Sequence, residues 1–259
     1  MAYVQKDTMV AGIQSRMLEG GDGDTVLFLH GAAGLTGWLP YFESLARHFR
    51  VLVPEHPGYG SVIRPDSIVS VADLAEYYKD FAANLGRFHL IGSSLGGWLA
   101  SSLALLIPDS IRSLTLLAPA GMRARASGSG PGALPSREER LRRLYFDRTF
   151  VERTLAQDPP DIQLIEEKNW VTTSLLGGPG FHNPTMEADL AKLACPTLVL
   201  WGKEDQVVSF GQAGLWGDAI AGAEVHILPR CGHLPHMEMT TTAGALTLEF
   251  INRCNIPMQ

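Results

Sequence analysis

Five consecutive residues, Gly92-Ser93-Ser94-Leu95-Gly96, set a serine between glycines in the pattern G-x-S-x-G. A string this short arises easily by chance, so its setting decides its meaning. The apolar run Phe88 to Ile91 reads as a buried strand, and the residues from Leu95 read as a helix that Pro108 halts. A strand-to-helix turn this sharp strains the backbone, and side chains at the flanking glycines would collide with neighbouring strand or helix. Ser94 Oγ is thereby pushed into the open, at a helix N-terminus whose N–H groups and positive dipole end face any oxyanion formed there. Ser93 is the rival nucleophile, but Ile91 stands two positions before it, where the motif needs glycine.

An unassisted serine is a poor nucleophile, so a histidine backed by a carboxylate is required. Of the eight histidines, His233 stands in the loop Cys231-Gly232-His233-Leu234-Pro235 after the apolar run Val225 to Leu228, at the same predicted sheet edge as Ser94. His236 is its competitor, expected to support the loop or line the cleft. Asp205 follows the run ending at Leu200, with Glu204 as rival acid, and the order serine, acid, histidine is the one this motif requires. A turn-forming hydrogen bond is the bland role for Asp205. The small-residue loop His30-Gly31-Ala32-Ala33-Gly34, after the run Val26 to Leu29, offers a second oxyanion donor. The donors would be the backbone N–H groups of Ala32 and Leu95, with His30 bracing the loop. Cys231, His233 and His236 make a poor metal set, crowded into one loop with no second cluster. No metal or organic cofactor is expected.

Short β-branched runs alternate with longer amphipathic segments, the rhythm of βα units. Val26 to Leu29, Val51 to Val53, Phe88 to Ile91, Leu114 to Leu117 and Thr197 to Leu200 read as buried parallel strands. Ser70 and Asp73 open a helix whose face carries Val71, Leu74, Ala75, Tyr78, Phe81 and Leu85. Trp38 to Phe49 reads as another helix, and Leu246, Leu248, Phe250 and Ile251 mark a last one. The opening residues to about Leu18 suggest an antiparallel hairpin at the sheet edge.

After Pro119-Ala120-Gly121 the rhythm breaks. Ser127-Gly128-Ser129-Gly130-Pro131-Gly132 is flexible by composition, and Arg137-Glu138-Glu139-Arg140-Leu141-Arg142-Arg143 is charged helical sequence. Such a segment has few residues for a core of its own and fits a helical covering over one sheet edge. Its arginines read as a solvated helix face whose glutamates pair with them at helical spacing, or as an anion site.

The chain has 259 residues, 46% hydrophobic and 19% charged, enough for one large domain or two small ones. Disorder and fibrous classes are excluded on composition. A net charge of -6 argues against nucleic acid as partner. Three widely separated cysteines, Cys195, Cys231 and Cys254, fit a reducing cytoplasm. With no leader-like N-terminus and no membrane-length apolar run, no membrane partner is expected.

Gly92 to Gly96, His30 to Gly34, Asp205 and Gly232-His233-Leu234-Pro235-His236-Met237-Glu238 together closely resemble the α/β-hydrolase superfamily, over nearly the whole chain. The resemblance implies a single α/β domain, 1–259: a mostly parallel eight-stranded sheet with helices on both faces and a cap insertion at 122–190. It assigns nucleophile, acid and histidine to Ser94, Asp205 and His233. Glu55-His56-Pro57-Gly58-Tyr59-Gly60-Ser61 is similar to a family loop in which aspartate more often stands at the position of Glu55, a change expected to affect loop hydrogen bonds rather than chemistry. The implied activity is acyl transfer to water, as in carboxylesterases acting on short to medium apolar acyl esters. Enol-lactonases and hydrolases of C–C bonds in ring-fission products are alternatives. The C–C hydrolases usually show Asn before the nucleophile and Trp after the histidine, where this chain has Ser93 and Leu234. Dehalogenases and epoxide hydrolases use an aspartate where Ser94 stands. A receptor on the same fold is the non-enzyme alternative. The expected partner is a small-molecule ester, with a homodimer left open. Leu141, Leu144, Tyr145, Phe146, Phe150, Trp170, Leu175, Leu176 and Phe181 are expected mainly to pack the cap, and Trp98 to pack its helix.

Overall fold

A computed structural model describes residues 3–122 and 135–255. The glycine-rich stretch Ser127 to Gly132 lies outside them. Eight strands form one sheet: β1 (Tyr3–Val10), β2 (Ile13–Gly20), β3 (Thr25–Leu29), β4 (Arg50–Pro54), β5 (Phe88–Ser93), β6 (Ile111–Leu117), β7 (Thr197–Gly202) and β8 (Glu224–Leu228). Their order across the sheet is β1-β2-β4-β3-β5-β6-β7-β8. All pairs from β4 to β8 are parallel, and only β1–β2 and β2–β4 are antiparallel. The opening hairpin turns at Ala11 and Gly12, both at positive φ (47° and 78°), the geometry that suits the right-handed twist of paired strands.

The helices are α1 (Pro40–Ala46), α2 (Val71–Ala82), α3 (Leu95–Leu106), α4 (Arg137–Leu144), α5 (Arg148–Ala156), α6 (Ile162–Gly177), α7 (Met186–Leu190), α8 (Gln212–Ala219), α9 (Pro235–Glu238) and α10 (Thr240–Cys254). Strand side chains divide with period two between two cores. Leu27, Leu29, Leu90, Leu116 and Trp201 pack with α2, α3 and α8. Val26, Phe28, Ile91, Leu117 and Leu200 pack with α1 and α10 on the other face. Strands buried on both faces read as continuous apolar runs, which is why the sequence exposes them so plainly.

Three predicted helices differ in detail. The Ser70 hydroxyl caps α2 by accepting from Asp73 N (3.2 Å), as its sequence suggests, but the helix ends at Ala82 and leaves Leu85 outside it. Tyr77 is buried, while Phe81 is only partly so. The segment Trp38 to Phe49 contributes only α1: Pro40 starts it, and His48 N and Phe49 N both turn back to Leu45 O. Trp38 instead stacks on Tyr3, ring centroids 5.0 Å apart. In α10, Phe250 and Ile251 are buried and Leu246 and Leu248 half-buried.

Between β6 and β7 lie α4 to α7. The solvated-face reading of α4 holds for Arg142, which pairs with Glu138 one turn back. Arg137 and Arg140 depart from it: Arg137 reaches Asp158 (2.6 Å) and Glu166, and Arg140 shares Glu166, tying α4 to α6. A Ser136–Glu139 capping box starts α4. Leu141, Tyr145 and Val151 form a small core with Leu234, from the loop that carries His233. Phe146 and Leu175, expected to pack, are exposed. Trp98 is buried, edge-on to Phe181.

Candidate active site

Ser94 is the single residue between β5 and α3, at φ 54° and ψ -116°. This is a strained conformation for a residue with a Cβ. The flanking glycines serve a different need, because a Cβ on Gly92 would strike Gly96 O and one on Gly96 would strike Leu29 O. They give room, and the serine carries the strain. The elbow is pinned to its neighbours: Ser94 N donates to Leu117 O (2.9 Å), and Ser94 O accepts from Gly97 N, Trp98 N and Ala120 N.

His233 Nε2 lies 2.9 Å from Ser94 Oγ, and His233 Nδ1 lies 2.7 Å from Asp205 Oδ2. A carboxylate oxygen accepts, so Nδ1 holds the ring proton and Nε2 turns its lone pair to the Ser94 hydroxyl. Asp205 is itself held by three further donors. Trp201 Nε1 donates to Oδ2 (3.0 Å), and Val207 N and Val208 N donate to Oδ1 (2.8 and 2.9 Å). The arrangement can move a proton from a serine hydroxyl to an imidazole whose orientation is fixed from behind.

The rivals fall elsewhere. Glu204 accepts from Cys231 N (3.0 Å), and no hydrogen bond joins it to His233 among the described residues. Ser93 is buried and its Oγ has no partner among the described residues. His236 packs against Phe28 and Tyr41. Among the described residues no three His, Cys, Asp or Glu side chains are grouped to hold a metal ion, both nitrogens of His233 are engaged, and burial pushes the Cys231 thiol well above its usual range.

Beside the elbow, Gly31 lies against Ser93 O and Ser94 Cβ. Neither Ala32 N nor Leu95 N donates to a protein group among the described residues, so both remain available to an incoming oxygen. His30 braces this loop. Its Nε2 accepts from His56 N (3.0 Å), so Nδ1 carries the proton and donates to Gly31 O (2.8 Å). His56 stacks on it, centroids 3.6 Å apart, and its Nε2 donates to His30 O while Nδ1 accepts from Tyr78 OH. Glu55, the departure in this loop, is buried against Arg16 (2.9 Å), and burial holds its carboxyl above the usual range.

Sequence reasoning passed over several supporting residues. Trp201 had a signal, because a buried indole N–H needs a partner. Asn169 of α6 had none: it bridges Gly60 N (3.0 Å) and Ala33 O (2.9 Å), bolting the insertion to the loop of Ala32. The histidine loop is held likewise. His233 N donates to Leu144 O (2.7 Å), and Glu238 accepts from Gly232 N and Asp147 N, both at 2.6 Å. A cavity of about 210 Å³ opens on Ser94 and His233, lined by Phe28, Leu39, Phe42 and Val53 on one side and Leu144, Trp170 and Phe181 from the insertion.

Four buried histidines stay neutral because burial disfavours their cations: His30 and His89 are lowered to about 4, His236 to about 3, and His56 well below the ordinary 6.5. The unfolded chain takes up protons near pH 6.5 that the folded chain refuses. Stability is therefore full above 6.5 and lost as pH falls toward the folded values, at up to about 1.4 kcal/mol per pH unit for each group. The raised carboxyl of Glu55 acts in the opposite direction. Urea midpoints are expected to fall steadily from pH 7 to 5, and a flat profile would contradict the assignment of four neutral rings.

A model of the alpha/beta hydrolase family matches residues 26–245, from β3 into α10. The chain belongs to the alpha/beta hydrolase family. Among relatives, this hydrolase is 27% identical to monoacylglycerol lipase abhd6-A of Xenopus laevis, over 90% of this chain and 76% of that one. It is also 27% identical to the 2-hydroxymuconate semialdehyde hydrolase of Pseudomonas sp. strain CF600, over 96% of this chain and 94% of that one. The meta-cleavage product hydrolase of Pseudomonas fluorescens IP01 superposes with a TM-score of 0.80 at 25% identity, over 96% of this chain and 98% of that one. No helix of this hydrolase among the described residues is long and apolar enough to cross a membrane.

Proposed function

We propose that this alpha/beta hydrolase is a serine carboxylesterase that cleaves esters of short to medium apolar acyl groups through an acyl-enzyme on Ser94. The reading rests on one observation: the hydrogen-bonded series Ser94, His233, Asp205 opens on a cavity of about 210 Å³ whose walls are mainly apolar, with Arg140, Arg143 and Glu166 among the lining residues. In this mechanism His233 takes the Ser94 proton as Oγ attacks the ester carbonyl, and the N–H groups of Ala32 and Leu95 hold the oxyanion. Such a donor is worth about 3 to 4 kcal/mol of the barrier. Asp205 keeps the imidazole oriented and stabilises its cation. The imidazolium protonates the leaving alkoxide, and water activated by His233 then releases the acid from Ser94. Every step is carried by residues of this chain. On this reading residues 122–190 form a cap within a single domain, the partner is a small-molecule ester, and three unpaired cysteines suit a cytoplasmic setting.

A second reading, hydrolysis of a C–C bond in a ring-fission product, is favoured by the near full-length match to the hydroxymuconate relative. Ser93 and Leu234, at positions where Asn and Trp are usual in that group, weigh against it. Steady-state rates on aryl esters of increasing chain length, a lactone and a ring-fission dienoate test both. The ester reading expects the highest kcat/KM on a short to medium acyl ester. A dominant dienoate rate overturns it, and fluorophosphonate labelling without turnover of any substrate would make the protein a receptor.

A further inference from the structure

The wall of the cavity contains a buried imidazole that the proposed reaction does not use. His236 follows the base by three residues, is 4% exposed, and lines the same cavity as Ser94 and His233. Its ring packs against Phe28 (centroids 5.4 Å) and Tyr41 (5.8 Å), in the aromatic cluster that also holds Phe42. A residue needed only to fill that space would be Phe or Leu, because an imidazole buried without partners gives up its hydrogen bonds to water at a cost of about 1–3 kcal/mol. Yet Nδ1 is buried with no partner, and among the described residues the side-chain hydrogen bond at His236 goes to its backbone O, from Thr240 Oγ1, and not to Nε2. Only Nδ1 of this ring is wholly shielded, so Nε2 is the nitrogen with access to the cavity.

The ring's protonation narrows its role. Burial, with a smaller contribution from His233, lowers it to about 3, so at neutral pH it is neither a cation nor a second base. A neutral imidazole has one N–H and one lone pair. Leaving a bare acceptor in the shielded place costs less than orphaning an N–H there, which puts the proton on Nε2, toward the cavity. Ser93 Oγ, in a residue that is 1% exposed and lines the same cavity, is a second polar atom with no partner. A cavity built for hydrocarbon alone would carry neither, nor the Arg140, Arg143 and Glu166 side chains that also line it.

We propose that His236 is a specificity residue, whose Nε2–H donates to an oxygen acceptor on the acyl chain, so that the preferred substrates are oxoacyl esters rather than plain alkyl ones. This rests on the esterase reading above and narrows its substrate class.

The test compares kcat/KM on p-nitrophenyl 4-oxopentanoate against pentanoate, and 5-oxohexanoate against hexanoate, for the wild type, His236→Leu and His236→Gln. Fluorophosphonate titration counts folded sites in each preparation. Intrinsic ester reactivity cancels when the oxo-to-alkyl ratio of one protein is divided by that of another. At least one oxo ester is expected to exceed its alkyl partner about tenfold in the wild type, the worth of one good hydrogen bond. His236→Leu should bring that ratio to about one, and His236→Gln, with an amide donor, should recover part of it. A wild-type ratio near one for both pairs, or a ratio unchanged in His236→Leu, overturns the proposal. Calorimetric binding of 4-oxopentanoate and 5-oxohexanoate against pentanoate and hexanoate to Ser94→Ala reads the same contact without turnover. Preferential binding of an oxo acid by Ser94→Ala, together with a wild type that hydrolyses no ester, would sink the esterase reading and leave the His236 contact standing. Equal binding would remove the contact.

Discussion

Ser94→Ala is expected to lower kcat on the best ester by roughly 10⁵- to 10⁶-fold, the loss seen when a serine nucleophile is removed from such an assembly. The size follows from what remains. Without Oγ no acyl-enzyme forms, but the N–H groups of Ala32 and Leu95 and the cavity still bind and polarise the ester, so attack by water persists at a rate above background. Alanine also keeps the Cβ that the elbow already tolerates at φ 54°, so the fold should survive. Kinetics on protein verified by its melting curve, together with loss of fluorophosphonate labelling, read the effect. A residual kcat within tenfold of wild type would remove Ser94 from the chemistry and reopen Ser93.

Much of this could be read from residue order because the fold converts order into position. Strands with apolar residues on both faces must be central, and the C-terminal ends of parallel strands share one edge, so Ser94 after β5, Asp205 after β7 and His233 after β8 had to approach one another. What could not be read was set by contacts between distant segments. Nothing near Asn169 in the sequence announces a bridge from α6 to Ala33 and Gly60, and Glu238 gains its meaning only when Asp147 and Gly232 meet on either side of it. The same holds for Arg137 and Arg140: helical spacing predicts partners within α4, but Asp158 and Glu166 compete from α5's end and α6 and win because they are less exposed to water. Local pattern sees one face of a helix at a time.

The choice between the two acids after β7 is open to an equally sharp measurement. Asp205→Asn is expected to cost about 10⁴-fold in kcat, because it presents the wrong histidine tautomer rather than removing a contact. All four partners of the Asp205 carboxylate are donors: His233 Nδ1, Trp201 Nε1, Val207 N and Val208 N. An amide has one oxygen and one NH₂, so one pair of donors must face NH₂. The backbone N–H groups of Val207 and Val208 cannot turn away, whereas Trp201 Nε1 keeps a second acceptor in Val208 O (3.1 Å). The NH₂ group therefore points at His233, whose Nδ1 must become the acceptor. The ring proton moves to Nε2, which then faces Ser94 as a donor and cannot take the hydroxyl proton. Glu204→Gln is the matched control: its amide oxygen can still accept from Cys231 N, so kcat should stay within about tenfold. Should Asp205→Asn keep near-normal turnover while Glu204→Gln collapses, the acid would be Glu204, and the four-donor cradle around Asp205 would be a turn and nothing more.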